Sequence, residues 1–197
     1  MEDSMRSLSL RTPVIFLVVL LDFLPVSAHI TPMIHLKKHN AAIKMMLQEG
    51  TSFYVKNVTL GRAEISKIKA MSGWTPDLER YKFYYGKDVA GKLVGDVLFI
   101  SVNSKHGPLT LAIGFSPGNV ITGVVLTDIP TEPFSWVRKL LQASFLDTFP
   151  GKSRDELGEI IDQISRKELG AMQRYYAKVI ARGVQQAVVL QMVLYNL

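Results

Sequence analysis

From Leu109 to Phe115 the chain alternates, with Leu109, Leu111, Ile113 and Phe115 on one face and Thr110, Ala112 and Gly114 on the other. A period of two predicts a half-buried strand. Ser116-Pro117-Gly118-Asn119 follows, with Pro preset for the first corner of a tight reversal and Gly offered at the second, where φ is positive. Val120 to Leu126 is β-branched and reads as the returning strand. Past the break at Ile129-Pro130-Thr131-Glu132-Pro133 the period changes. Trp136, Leu140, Leu141, Phe145 and Phe149 have the spacing of an amphipathic helix.

Upstream, Val94 to Val102 is apolar on both faces apart from Asp96 and Ser101, the pattern of a central strand. Tyr81 to Tyr85 (YKFYY) reads as another strand by its aromatic content. Four strands in succession with short turns predict an antiparallel meander. Helical spacing before it, over His35–Leu47 and Leu60–Met71, and after it gives an α+β fold, a twisted sheet with helices on one face. Ser153 three residues before Glu156 is a capping box that opens a helix with Leu157, Ile160, Ile161 and Ile164 as its buried stripe. Ser165-Arg166-Lys167-Glu168 has the same form and predicts the start of a long apolar C-terminal helix, which buries against the sheet or meets a membrane or partner.

Hairpin, loop and helix in this order resemble the FMN-binding domain of the C subunit of sodium-pumping quinone reductases, the G subunit of Rnf-type complexes and small exported flavoproteins. That family shows a second hairpin strand opening with G-x-[IV], a loop close to E-T-P-G, a helix, and a closing F-x-G-K. Gly118-Asn119-Val120, Thr131-Glu132-Pro133 and Phe149-Pro150-Gly151-Lys152 occupy those places. The loop departs from the pattern: it reads T-E-P, and Phe134 stands where glycine is expected. The resemblance implies that Thr131 and Glu132 face a flavin. Lys105 and His106, in the turn before Leu109, would meet its phosphate or electron-rich edge, although exposed turns collect such residues in any case.

The family continues with D-x-[IV]-[ST]-G-A-T, whose threonine carries FMN through a phosphoester. Asp162-Gln163-Ile164-Ser165 matches the first four positions, but Arg166-Lys167-Glu168 replaces the rest. Glu168 has no hydroxyl to offer, and Ser165 stands three positions early as a substitute acceptor. Covalent attachment is therefore not expected. Arg166 and Lys167, with Lys152, suit a phosphate held without a covalent bond. The resemblance thus implies a noncovalent FMN module passing electrons among membrane-associated redox proteins or quinone-linked carriers, as an electron-transfer component rather than a stand-alone enzyme. The alternative is a flavin-free module of the same fold that binds a protein partner or an anionic ligand.

Composition narrows the field. The 197-residue chain is 48% hydrophobic and 20% charged, enough for a real core. It lacks cysteine, which excludes disulfides, thiolate clusters, c-type haem and lipid attachment at cysteine. A net charge of +6 without basic runs and interleaved aromatics does not favour nucleic acid, and it tolerates contact with an acidic membrane surface. Val14 to Leu24, preceded by Arg6 and Arg11 and followed by Val26-Ser27-Ala28, reads as a secretory signal peptide. Cleavage after Ala28 would leave one exported, periplasmic or extracytoplasmic, domain over 29–197; an uncleaved anchor is the alternative. His35 and His39, four apart, would share a helix face, but the neighbouring Lys38 and the lack of an acidic residue within a turn argue against a metal. No hydrolase motif such as G-x-S-x-G or H-E-x-x-H is present.

Overall fold

The computed structural model describes residues 32–194; the export segment read at 14–24 and its exit at Ala28 lie outside the described residues. Strands β1 (Met33–His35), β2 (Ser52–Thr59), β3 (Arg80–Lys87), β4 (Leu93–Ser104), β5 (Gly107–Phe115) and β6 (Ile121–Pro130) form one antiparallel sheet. Their spatial order is β1-β6-β5-β4-β3-β2, so β2 to β6 are a meander and β1 closes the row beside β6. Helices α1 (His39–Met46), α2 (Arg62–Ser72), α3 (Phe134–Gln142), α4 (Arg154–Arg166) and α5 (Ala171–Leu194) complete an α+β architecture. The long α5 lies over β4 and β5, and α2, α3 and α4 pack around it. The short α1 lies across the other face, over β5 and β6.

Alternation explains this layering. Leu98, Ile100 and Val102 of β4, with Leu109, Leu111, Ile113 and Phe115 of β5, face α5 and are buried. Val97 and Ala112 face the other way, under Ala42, Ile43 and Leu47. On α5, Tyr176, Ile180, Val184, Ala187 and Leu190 are among the side chains sealed from water. Gly183 lets the helix drop onto the sheet: a Cβ there would sit 2.4 Å from Val102 Cγ2 and 2.8 Å from Leu111 Cδ1.

Several local expectations are corrected. His35 ends a strand rather than opening a helix, and α1 starts only at His39. The positive φ in the 116–119 reversal falls on Asn119, at 61°, not on Gly118. The helix after Pro133 stops at Gln142, and Phe145 begins a separate 3-10 turn. Ser165 and Arg166 lie in the last turn of α4, which Lys167 terminates. The next helix starts at Ala171, where Gln173 accepts from the Gly170 amide at 3.1 Å.

The capping box at the start of α4 forms as expected. Glu156 accepts from the Ser153 amide at 2.9 Å, and its own amide donates to Ser153 Oγ at 3.4 Å. Ser153→Ala should lower stability by about 1 kcal/mol. Urea unfolding of the two proteins checks this, and an unchanged midpoint would show that the cap contributes nothing.

Candidate functional site

The β3–β4 ladder runs from Lys87/Leu93 to Phe83/Leu98 and stops there, although β3 continues back to Arg80 and β4 on to Ser104. The two strands part. Trp74, Asp77 and Leu78, from the connection after α2, border the gap, and a hollow of about 810 Å³ opens there and across the sheet face that carries α1. Its walls are largely apolar: Trp74, Leu78, Tyr81 and Phe99. Volume and lining are those of a small-molecule site.

The floor is polar, and its order follows from strand register. Ser101 of β4 faces Thr110 of β5, Thr110 faces Asp128 of β6, and Asp128 faces His35 of β1. Four strands thus contribute one row of hydrogen-bonding groups, all lining the hollow. Asp128 reaches this face because of a bulge. Val124 and Leu126 point into the core beneath α5, and strict alternation would send Asp128 after them. The register instead slips between Thr110 and Leu111, leaving Thr127 as an extra residue and restarting the alternation.

Asp128 is enclosed by donors. His35 Nδ1 lies 2.5 Å from Oδ1, Thr127 Oγ1 donates to Oδ2 at 2.7 Å, and His39 Nε2 makes a longer contact of 3.4 Å to Oδ2. Partial burial pulls this carboxyl upward. The hydrogen bonds from His35, Thr127 and His39, with the attraction of the His39 ring whenever it is protonated, outweigh that pull and hold it below the usual carboxylate range. On the opposite wall, burial and then the charge of Asp77 push the Tyr81 phenol up to about 12, so it stays a neutral hydroxyl. Lys37 and Lys38 stand at the rim.

The residues singled out from sequence fall at two ends of the sheet. Lys105 and His106 form the β4–β5 turn, and Thr131 and Glu132 follow β6 beside them: Gly107 approaches Pro130, and His106 Nδ1 lies 2.9 Å from Glu132 Oε1. The Lys105 amide donates to Tyr175 Oη at 2.9 Å, and the His106 ring packs against Trp136 and Tyr176, which stack on each other. The end of α4 comes towards this side, because Arg174, next to Tyr175, donates to the Lys167 and Leu169 carbonyls. Ser165, Arg166 and Lys167 themselves are exposed.

Lys152 stands at the far end. The Gly151 amide donates to the Ile121 carbonyl, at the first residue of β6, whereas Thr131 follows its last. A strand of this length spans about 30 Å, so no single mononucleotide touches both Lys152 and Glu132. Lys152 Nζ is also engaged, 2.9 Å from Glu156 Oε1. Next to it, by the 116–120 reversal, lies a second hollow of about 510 Å³, bordered by Asn119, Val120, Lys152 and Arg154.

Comparison with protein-family models, with curated proteins and with solved structures finds no match. Among the described residues, no group of three or more His, Cys, Asp or Glu side chains has the arrangement of a metal site. What sequence reasoning missed is the convergence on Asp128. His35 and His39 were visible as a pair, but their acidic partner lies 93 and 89 residues further along the chain.

Proposed function

We propose that this chain is a binding module for a small molecule with a flat apolar body and a polar end, held in the open-face hollow. The observation that carries this reading is the row Ser101–Thr110–Asp128–His35 laid across four strands between aromatic walls. A surface needed only for solubility has no use for a bulge that re-aims a partly buried carboxylate. Binding residues held on strands are positioned more exactly than on loops.

Anilinonaphthalene sulfonate, whose fluorescence rises in apolar sites, is the probe. The folded chain should take it up with micromolar affinity. Thr110→Phe, which fills the hollow from its floor while leaving the backbone ladder intact, should weaken uptake at least about tenfold, a change of ~1.4 kcal/mol. Equal uptake by a variant with an unchanged thermal melt would overturn the reading.

Noncovalent FMN in an electron-transfer module working beside membrane-associated carriers is the second reading. What favours it is the open hollow by the reversal, with Lys152 and Arg154 on its rim. In that case FMN titration gives a yellow protein, and Lys152→Ala, not Thr110→Phe, abolishes uptake.

A further inference from the structure

The two histidines of the hollow share one carboxylate. Each turns one ring nitrogen onto Asp128, His35 through Nδ1 and His39 through Nε2. The nitrogens left over, His35 Nε2 and His39 Nδ1, make no hydrogen bond among the described residues, and both rings are more than half exposed and line the hollow. Asp128 itself has little left to offer a ligand. Its Oδ1 takes His35 and its Oδ2 takes Thr127 and His39, so the carboxylate stands behind the rings as their orienting partner.

We infer that the hollow receives the anionic end of a flat organic acid, a carboxylate or sulfonate, at His35 and His39, and that binding draws a proton onto this pair. This rests on the open-face hollow being the ligand site. A neutral imidazole whose N–H points at Asp128 shows a lone pair to the ligand and repels an anion. The same ring with a second proton shows a donor. An anion in front and a carboxylate behind both favour the doubly protonated ring. His39 gains further, because its ring lies 4.4 Å from that of Phe99, where a cation meets the aromatic face.

The other charges facing the pair agree on orientation. Lys37 and Lys38, between β1 and α1, lie on the histidine side of the rim, whereas Asp77, on the connection before β3, borders the far side beside neutral Tyr81. An acid therefore enters with its charge toward the histidines and its flat body against Trp74 and Phe99.

The test is titration calorimetry on the whole chain near pH 7, repeated in buffers of different ionisation enthalpy. The probes are anilinonaphthalene sulfonate and its uncharged relative phenylnaphthylamine. The sulfonate should bind with net proton uptake, up to about one per molecule, and the amine with none. The double variant His35→Gln, His39→Gln should lose the proton uptake and roughly tenfold of the sulfonate affinity, the loss of one charge-assisted hydrogen bond, while keeping the amine. Sulfonate binding without proton uptake, or uptake that survives in the double variant, overturns this inference and leaves the site in place. If neither probe binds, both the inference and the site are wrong.

Discussion

Gly95→Ala is expected to lower unfolding free energy by about 3–5 kcal/mol, much of the 5–15 kcal/mol that holds a domain of this size together. Gly95 lies in β4 with φ at 154°, a region side chains avoid, opposite Gly86 where the β3–β4 ladder is irregular. A Cβ on it would lie 2.3 Å from the Phe115 carbonyl oxygen. That oxygen belongs to the backbone of the central β5 strand, so no rotamer change relieves the overlap. The new methyl must push β4 away from β5 or twist the chain at 95, and either loosens the core on both sides of the sheet. Urea unfolding followed by tryptophan fluorescence gives the difference. A loss under about 1 kcal/mol would mean that β4 and β5 are not so closely apposed. At Gly183 the crowding is with the buried side chains of Val102 and Leu111 rather than with backbone.

Asp96→Asn should act in the opposite direction, and only above acidic pH. Asp96 is fully buried on the face under α5, where Gln191 Nε2 donates to its Oδ1 at 2.9 Å and to Asn119 Oδ1 at 3.1 Å. Among the described residues, Asp96 Oδ2 and Gln191 Oε1 have no hydrogen-bond partner. Burial pushes the carboxyl up to about 7, and the bond from Gln191 offsets this only in part. Unfolded, the same group releases its proton near 3.8. Between those two values the native state holds a proton that the unfolded state has lost, so this group's contribution falls as pH rises and levels off above about 7. The whole effect is on the order of 4 kcal/mol.

Asparagine has nearly the same shape, keeps the acceptor that Gln191 uses, and never ionises. It also puts an amide donor where Oδ2 stands, on a site where Gln191 Oε1 lacks a donor. The variant should therefore match the parent near pH 4 and exceed it by a few kcal/mol at pH 8. Asp128 and Glu156, whose contributions fade on acidification, are common to both proteins and cancel in the comparison. Parallel pH dependences for the two proteins would show that position 96 carries no such proton.

The elements that alternation or helical spacing could mark were legible: β3 to β6, and the helices around Ile68, Val137, Leu157 and Val184. β2 was not, because Ser52 to Val55 and its neighbours are exposed on both faces and show no period. β1 is three residues long, too short for any pattern, and it sets His35 beside β6. Ser165-Arg166-Lys167-Glu168 looked like a helix start, yet α4 continues through Arg166, since a Ser-x-x-Glu spacing says nothing about whether the preceding helix has ended. The site was hidden for a different reason. Its floor depends on cross-strand register and on one extra residue at Thr127, and neither leaves a mark in a single sequence. Asp96 was visible only as an interruption in an apolar run; its partner on α5 lies 95 residues away.

Because β3 leaves β4 beyond Phe83, the paired strands β2 and β3 share ladder hydrogen bonds with the rest of the sheet only between Phe83 and Lys87 among the described residues. Amide deuteration should therefore divide the sheet unevenly. Protons of β4 to β6 exchange only through global unfolding, whereas the β2–β3 pair trades its own as a separate, earlier-opening unit whose hinge lies at Phe83.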